Sequence, residues 1–248
     1  MKLSVVIPAY NEEKRLPETL KKVRAYLIKQ DYEWEVLIVN DGSKDETASV
    51  VSNLIRAWSG FRLIDNKENQ GKGGVVKQGM LEAKGEWRLF MDADNSTDIS
   101  ELPKLMQFAN PKSEIRNPNE QKFETIIGSR YLNKDSIKVK QPFSRRIVSR
   151  MGNLLIRIML GIKMADTQCG FKLFSAKAAE GIFPLQTILR WGFDMEILAI
   201  AIKKDYKIKE VAVDWYDAEG SQVKKSAALK TIKELFIIKW NLLKGKYN

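Results

Sequence analysis

The sequence predicts an α/β protein with a largely parallel sheet and an amphipathic helix near its end. Three observations carry this. Short apolar runs, each closed by turn-forming or polar residues, alternate with segments whose apolar residues recur at helical spacing. Strand, helix, strand, helix in that order is the pattern of a parallel sheet. The 248 residues, 44% apolar and 29% charged, have an ordinary globular composition and enough length to bury a sizeable core.

The elements follow in order. Leu3 to Ile7 is a short apolar run closed by Pro8, the mark of a buried strand. Leu16, Leu20, Val23 and Leu27 then recur at helical spacing, with Pro17 suited to a first helical turn. Glu35 to Val39 is a second strand, ending in Asn40-Asp41-Gly42-Ser43. Ser43 and Glu46 read as a capping box for a helix with Val50, Val51, Leu54, Ile55 and Trp58 on its apolar side. Phe61 to Ile64 is a third strand, Val75 to Ala83 a helix, and Trp87 to Met91 a fourth strand. Glu101 to Ala109 reads as a helix, and Asn110 to Lys122, polar with two prolines, as a surface excursion. Phe123 to Ile127 is a strand running into Gly128-Ser129-Arg130. Ser144 to Met164 is a helix with a basic flank, Gly170 to Phe174 a short strand, and Phe193 to Lys203 a helix. Val211, Val213 and Trp215 alternate as a late strand, and Ala227 to Leu243 is the amphipathic helix. With no repeat, low-complexity segment or linker, the chain reads as one domain over 1–220, in halves 1–105 and 106–220, with a basic tail at 221–248.

Composition excludes several chemistries. There is no histidine, so His triads, His bases and His metal ligands are out. One cysteine, Cys169, allows no internal disulfide and fits a reducing compartment. No run approaches the ~18 apolar residues that span a bilayer. The first residues are too briefly apolar for a signal peptide, so the chain reads as cytoplasmic. The net charge of +11 is concentrated: Ile137 to Lys163 holds seven Lys/Arg and no acid, and Ser221 to Asn248 holds seven Lys and one acid. Two basic patches on a near-neutral body suit an anionic surface such as a membrane or a phosphate ligand, or else are solvated lysine-rich faces. No nucleic-acid motif accompanies them.

The chemistry centres on Asp92-Ala93-Asp94, at the end of the fourth strand. Residues two apart on a strand share a face, and two converging carboxylates repel unless a cation joins them. Mg²⁺ or Mn²⁺ takes such oxygen ligands together with substrate phosphates. A polar loop holding two aspartates is the plainer reading. Pro8, Tyr10 and Glu12 follow the first strand, where a tyrosine can stack on a base and an acid can bind sugar hydroxyls. Asp41 follows the second, placed to accept from a base N–H or to serve helix entry. Gly71-Lys72-Gly73-Gly74 opens a helix, where backbone N–H groups and Lys72 suit phosphate, though a flexible turn reads equally well. Ligands in parallel sheets bind beyond the carboxyl ends of the strands, so all these stretches can line one crevice.

Taken together, Val-Ile-Pro-Ala-Tyr-Asn-Glu-Glu, Asn-Asp-Gly-Ser-Lys-Asp, Gly-Lys-Gly-Gly and Asp-Ala-Asp resemble the inverting glycosyltransferases of the GT-A fold. Gly128-Ser129-Arg130, Asp166 to Phe174, Arg190 to Glu196 and Glu219-Gly220-Ser221 sharpen the resemblance to dolichyl-phosphate β-glucosyltransferases, with the mannose synthases more distant. The resemblance implies a Rossmann-like GT-A fold, with a mostly parallel central sheet and helices on both faces. It implies a nucleotide-sugar donor, UDP-glucose first, and a polyprenyl (dolichyl) phosphate acceptor. Pro8, Tyr10, Glu12, Asp41 and Lys72 would then line the nucleotide, and Asp92 and Asp94 would hold Mg²⁺ or Mn²⁺ on the diphosphate. Arg130, Arg145 and Arg146 would hold phosphates, the last two nearer the lipid. Asp166, or Asp194 with Glu196, would sit by the sugar, with Asp166 as a hydroxyl ligand or optional base.

The residues agree with this in one respect. A phosphate monoester has its second pKa near ~6 and arrives as an anion, so a chain without histidine can still catalyse its attack. Asn40, where an Asp is common in the family, and Asn95-Ser96 after the acidic pair depart from the pattern. The resemblance also implies a membrane anchor, and no run in this sequence is apolar enough to be read as one. The tail offers a substitute: Leu229, Ile232, Leu235, Phe236, Ile238, Trp240, Leu242 and Leu243 beside Lys230, Lys233, Lys239, Lys244 and Lys246 make an interfacial helix for an anionic membrane surface. The alternatives are a transferase using GDP-mannose or a soluble glycan or protein acceptor, and a non-catalytic basic membrane- or nucleic-acid-binding protein.

Overall fold

Leu3–Ala9 forms β1, buried along its whole length, because a strand inside a sheet covered on both faces can be apolar throughout. A computed structural model describes residues 1–109, 122–138, 143–216 and 226–248, with side chains except at 134, 143–151 and 226–229. After β1 come α1 (Leu16–Leu27), β2 (Trp34–Asp41), α2 (Thr47–Ile55), β3 (Phe61–Asn66), α3 (Lys72–Glu82), β4 (Trp87–Met91) and α4 (Leu102–Ala109). Then follow β5 (Thr125–Ser129), α5 (Phe143–Leu160), β6 (Phe171–Ser175), α6 (Ala176–Ile182), α7 (Phe193–Lys203), β7 (Ile208–Ala212) and α8 (Ser226–Leu243).

The seven strands make one sheet in the order β3-β2-β1-β4-β6-β5-β7. β1 pairs parallel with β2 and β4, β2 with β3, and β5 with β7, while β6 runs antiparallel between β4 and β5. Strand alternation sorts the core into two layers. Val6, Leu37, Val39 and Phe90 face α3 and α5 to α8, whereas Val5, Ile7, Val36, Ile38, Leu89 and Met91 face α1, α2 and α4. Helices therefore cover both faces, as expected. Pro8 extends β1 beyond its last partner on β4, Val6 opposite Phe90, so its missing N–H leaves no gap in that ladder.

Several boundaries differ from the sequence reading. α2 begins at Thr47, and the capping box does not form. Ser43 instead donates to Asn40 Oδ1 at 2.5 Å, and Asp45 accepts from the Thr47 N–H at 3.0 Å. The short α6 has no amphipathic repeat to announce it; Ser175 caps it by accepting from the Ala178 N–H at 3.1 Å. Trp215 lies past β7, in a single bridge to Ile137. The stretch 110–121 lies outside the described residues.

The described part of the tail is not a separate piece. Leu235, Ile238 and Tyr247 are buried in the same layer as α3 and α7. Among the described residues no helix is long and apolar enough to cross a membrane.

Candidate active site

The carboxyl ends of β1, β2 and β4 lie side by side and present Tyr10 to Glu12, Asp41 and Asp92 to Asp94. β4 stops at Met91, so the two aspartates sit in a turn and not on one strand face. That corrects the reason given for their convergence. Asn95 closes the turn with φ 54°, and Thr19 on α1 ties it down by donating to the Ala93 carbonyl at 2.7 Å.

Each aspartate meets a cation. Asp92 Oδ1 is 2.6 Å from Lys72 Nζ, and Asp94 Oδ2 is 3.9 Å from the Arg15 guanidinium. Burial pushes the Asp92 carboxyl up, the Lys72 ammonium opposes that, and the Asp94 charge adds to it, so the two acids feel one another. Gly170 is packed against Asp92: a Cβ there would lie 2.0 Å from Asp92 Oδ2. Arg15 also grips Glu12 at two points, 2.7 and 2.5 Å. The Glu12 carboxyl is pushed up by burial, with Arg15 opposing and the two aspartates adding. A cavity of about 760 Å³ opens beside Asp94, lined by Arg15, Lys22, Asn95, Ser96 and Tyr216 among others.

Among the described residues no three acidic or sulfur ligands come together. A metal here would therefore take two carboxylates and draw its other oxygens from water and a phosphate ligand, the usual habit of Mg²⁺. The donor set fits. Asn95 Oδ1 is a buried oxygen without a hydrogen bond, and Asp92 Oδ1 is held by the Lys72 ammonium, which a metal would displace or join.

Lys72 starts α3, close to the rings of Phe90 and Trp191, at 5.4 and 5.5 Å. Its loop is held by Asp41, whose carboxylate accepts from the N–H groups of Gln70 (2.6 Å) and Gly71 (3.0 Å) and from Asn69 Nδ2 (3.0 Å). Burial raises the Asp41 pKa while those bonds oppose it. Asp41 thus shapes the loop as found. Asn40 closes its own turn and donates to Asp65 Oδ1 at 2.7 Å. Tyr10 is half-buried at the rim, and Pro8 is buried behind it.

The acidic residues expected near the sugar are otherwise engaged. Asp166 is fully buried, and its two oxygens take Arg130 Nε at 2.7 Å and Nη2 at 2.9 Å. Backbone N–H groups of Arg130 and Gln168 complete its shell. Burial works against its charge, but Arg130 overcomes that and holds the carboxyl below the usual range. A saturated, buried carboxylate has no spare lone pair for proton transfer, so this geometry makes Asp166 the residue that orients Arg130. Arg130, at the end of β5, lies near the Tyr131 and Trp215 rings. Asp194 pairs with the fully buried Lys172 at 2.5 Å, and Lys172 also donates to the Cys169 carbonyl at 2.6 Å. Glu196, fully buried, binds Thr187, Ile188 and Tyr247 and has no path to a sugar in this arrangement. Arg145 and Arg146 fall in the first turn of α5, and their side chains lie outside the described residues, as does Glu219-Gly220-Ser221.

The sequence reading missed Arg15, Lys172 and Tyr247. Arg15 had a signal, three residues after Glu12 at a helix entry. Lys172 and Tyr247 had none, since their acidic partners, Asp194 and Glu196, are distant along the chain.

Comparison with known proteins places this arrangement. The profile of the family described as "Glycosyl transferase family 2" matches residues 4–183. The chain belongs to glycosyl transferase family 2. This family 2 glycosyltransferase is 41% identical over 244 residues to a dolichyl-phosphate beta-glucosyltransferase of Trichomonas vaginalis, covering 95% of this chain and 72% of that one. It is 35% identical to the human dolichyl-phosphate beta-glucosyltransferase, covering 99% of this chain and 77% of that one. Its fold resembles mannosyl-3-phosphoglycerate synthase from Rubrobacter xylanophilus (TM-score 0.70, 13% identity, 99% and 75% of the two chains). It also resembles glucosyl-3-phosphoglycerate synthase from Mycobacterium tuberculosis in complex with Mn²⁺, UDP-glucose and phosphoglyceric acid (TM-score 0.67, 16% identity, 96% and 79%). The fold is GT-A-like, a mixed sheet with helices on both faces, as the motifs implied.

Proposed function

We propose that this family 2 glycosyltransferase moves glucose from UDP-glucose to a polyprenyl phosphate, with inversion at the anomeric carbon. The observation that carries this is the gathering of Asp41, Asp92 and Asp94 at the carboxyl ends of β2 and β4, with Lys72 at the start of α3 paired to Asp92, in a chain whose relatives are dolichyl-phosphate beta-glucosyltransferases. Asp92 and Asp94 are the residues that would hold Mg²⁺ or Mn²⁺, which when bound supplies charge neutralisation for the departing nucleoside diphosphate. A solved structural relative holds Mn²⁺ with UDP-glucose.

The chain's own groups do the rest. Lys72 turns its ammonium from Asp92 toward the diphosphate at the start of α3, where backbone N–H groups add to the favourable field. The carbonyls and side chains at the rim, with Tyr10, receive the base. Arg130, fixed by Asp166, presents a guanidinium fork suited to a phosphate oxygen pair. The acceptor phosphate arrives as an anion, so positioning substitutes for a general base.

The acceptor in this reading is lipid-borne, and the exposed side chains of two helices suit that. α5 packs against α8. Leu154 and Ile158 on α5 are 54% and 72% exposed, and Phe236, Trp240 and Leu243 on α8 are 60%, 60% and 71% exposed. Lys233, Lys244 and Lys246 stand exposed on or just after α8. Exposed apolar side chains together with exposed lysines match an anionic interface, and we place the protein peripherally on the cytoplasmic leaflet.

The test is a transfer assay with radiolabelled UDP-glucose or GDP-mannose and polyprenyl phosphate in detergent, with 3-phosphoglycerate as a soluble acceptor. Label from UDP-glucose should partition into organic solvent as a mild-acid-labile product. Transfer only to the soluble acceptor, or only from GDP-mannose, would refute this assignment.

A further inference from the structure

The donor loop is held from the far side by a second loop, and that loop is held by α8. Residues 186–192 lie against residues 69–74. The Gly74 N–H donates to the Leu189 carbonyl at 3.1 Å, Gln186 Nε2 donates to the Gly73 carbonyl at 2.8 Å, and Arg190 donates to Asn69 Oδ1 at 2.8 Å. The contact is too close for anything larger than glycine: a Cβ on Gly71 would lie 2.4 Å from the Leu189 carbonyl oxygen, and one on Gly73 2.7 Å from that of Ile188. Trp191 in the same loop faces Lys72.

The 187–192 segment has little regular structure of its own to hold it there. Gln186 donates to the Ile188 carbonyl at 2.9 Å and Asn241 to the Thr187 hydroxyl at 3.3 Å, and most of the segment's remaining restraints come from two buried or half-buried acids. Glu196 accepts from the N–H of Thr187 at 2.9 Å and of Ile188 at 2.7 Å, and from the Thr187 hydroxyl at 2.6 Å. Its fourth donor is the fully buried Tyr247 hydroxyl at 2.6 Å, itself held by Asn241 Nδ2 at 3.0 Å. Glu234 on α8 accepts from the Gly192 N–H at 2.7 Å. A fully buried carboxylate must be saturated with donors to keep its charge, so Tyr247 is integral to the set.

We propose that Glu234 and Tyr247 are positioning residues for the donor. They seat residues 187–192, and those residues set Lys72 and the glycine loop at the spacing a nucleoside diphosphate needs. The inference rests on the donor site assigned above. It extends that site to side chains of α8 and of the segment after it, none of which touches the donor loop directly.

The experiment measures UDP affinity with Mn²⁺ by calorimetry, and KM and kcat for UDP-glucose, in the full chain. Tyr247→Phe removes the hydrogen bond to Glu196, and Glu234→Gln removes the charge from the acceptor of the Gly192 N–H. Each should raise the UDP Kd and the UDP-glucose KM by roughly tenfold, with kcat changed about twofold or less. Ile238→Val, which trims the buried side of α8 and removes no hydrogen bond to the loop, is the control. It should lower Tm comparably and leave the UDP Kd unchanged. If Tyr247→Phe does not fold, Glu234→Gln, whose residue is only half-buried, carries the test alone. Binding that is present in the wild type and unmoved in the variants overturns this inference only. UDP binding absent from the wild type overturns the donor site with it.

Discussion

Lys72 Nζ lies 2.6 Å from Asp92 Oδ1, so the first acid of the Asp-Ala-Asp triplet is neutralised by the lysine of the glycine loop. That pairing joins two motifs twenty residues apart in sequence, and under the proposed function Lys72 would answer to two anions, Asp92 and the donor diphosphate. Replacing Lys72 with Met should weaken UDP binding by roughly 10- to 100-fold, as for a lost charged hydrogen bond. The same change leaves Asp92 buried beside Asp94 with no ammonium, so Mn²⁺ should raise the variant's Tm by more than it raises the wild type's. Thermal scans with and without metal, beside UDP titrations, check both.

The Arg130–Asp166 pair should govern acid stability. Asp166→Asn strands a buried guanidinium, a loss of about 3–5 kcal/mol by comparison with other broken buried pairs. Because Asp166 titrates below its unfolded value, its contribution is fully present above about pH 4 and lost as pH falls through its folded pKa. The stability gap between wild type and variant should therefore be constant from pH 7 to about pH 5 and close on further acidification. Denaturant melts across that range measure it. A gap independent of pH down to pH 2 would count against the pair.

These pairs also mark where sequence reading stops. Apolar runs located β1 and β4, because a sheet covered on both faces leaves an unbroken apolar signature there, whereas the alternation of Val211, Val213 and Trp215 placed the last strand past most of β7. The strand-end motifs come to one edge of the sheet for a related reason: the parallel strands β2, β1 and β4 deliver their carboxyl ends side by side. Occupancy was not legible. Asp166 and Glu196 have the composition of catalytic acids, yet distant partners, Arg130 and Tyr247, saturate them. α6 was missed since seven residues, AKAAEGI, are too few to show a period. The tail's apolar residues were all assigned to one surface, whereas α8 splits them, with Leu235 and Ile238 in the core and Phe236, Trp240 and Leu243 outside.

That split changes how the membrane surface is tested. Truncation would remove Leu235, Ile238 and Tyr247 from the core, so surface substitutions are the right tool. Changing Phe236, Trp240 and Leu243 together to Ser should leave Tm nearly unchanged. It should lower partition onto vesicles of anionic lipid by about 100-fold or more, since each large apolar side chain contributes ~1.5–3 kcal/mol on full burial. Co-sedimentation reads the result, and binding equal to wild type would remove α8 from the interface.

The central claim is that Asp92 and Asp94 hold a divalent cation against the donor diphosphate. It is tested most directly by titrating UDP into wild type and Asp94→Ala, each with and without Mn²⁺. The wild type should gain at least tenfold in affinity from the metal, and the variant should gain nothing. An equal gain in both, or no gain in the wild type, would contradict the account.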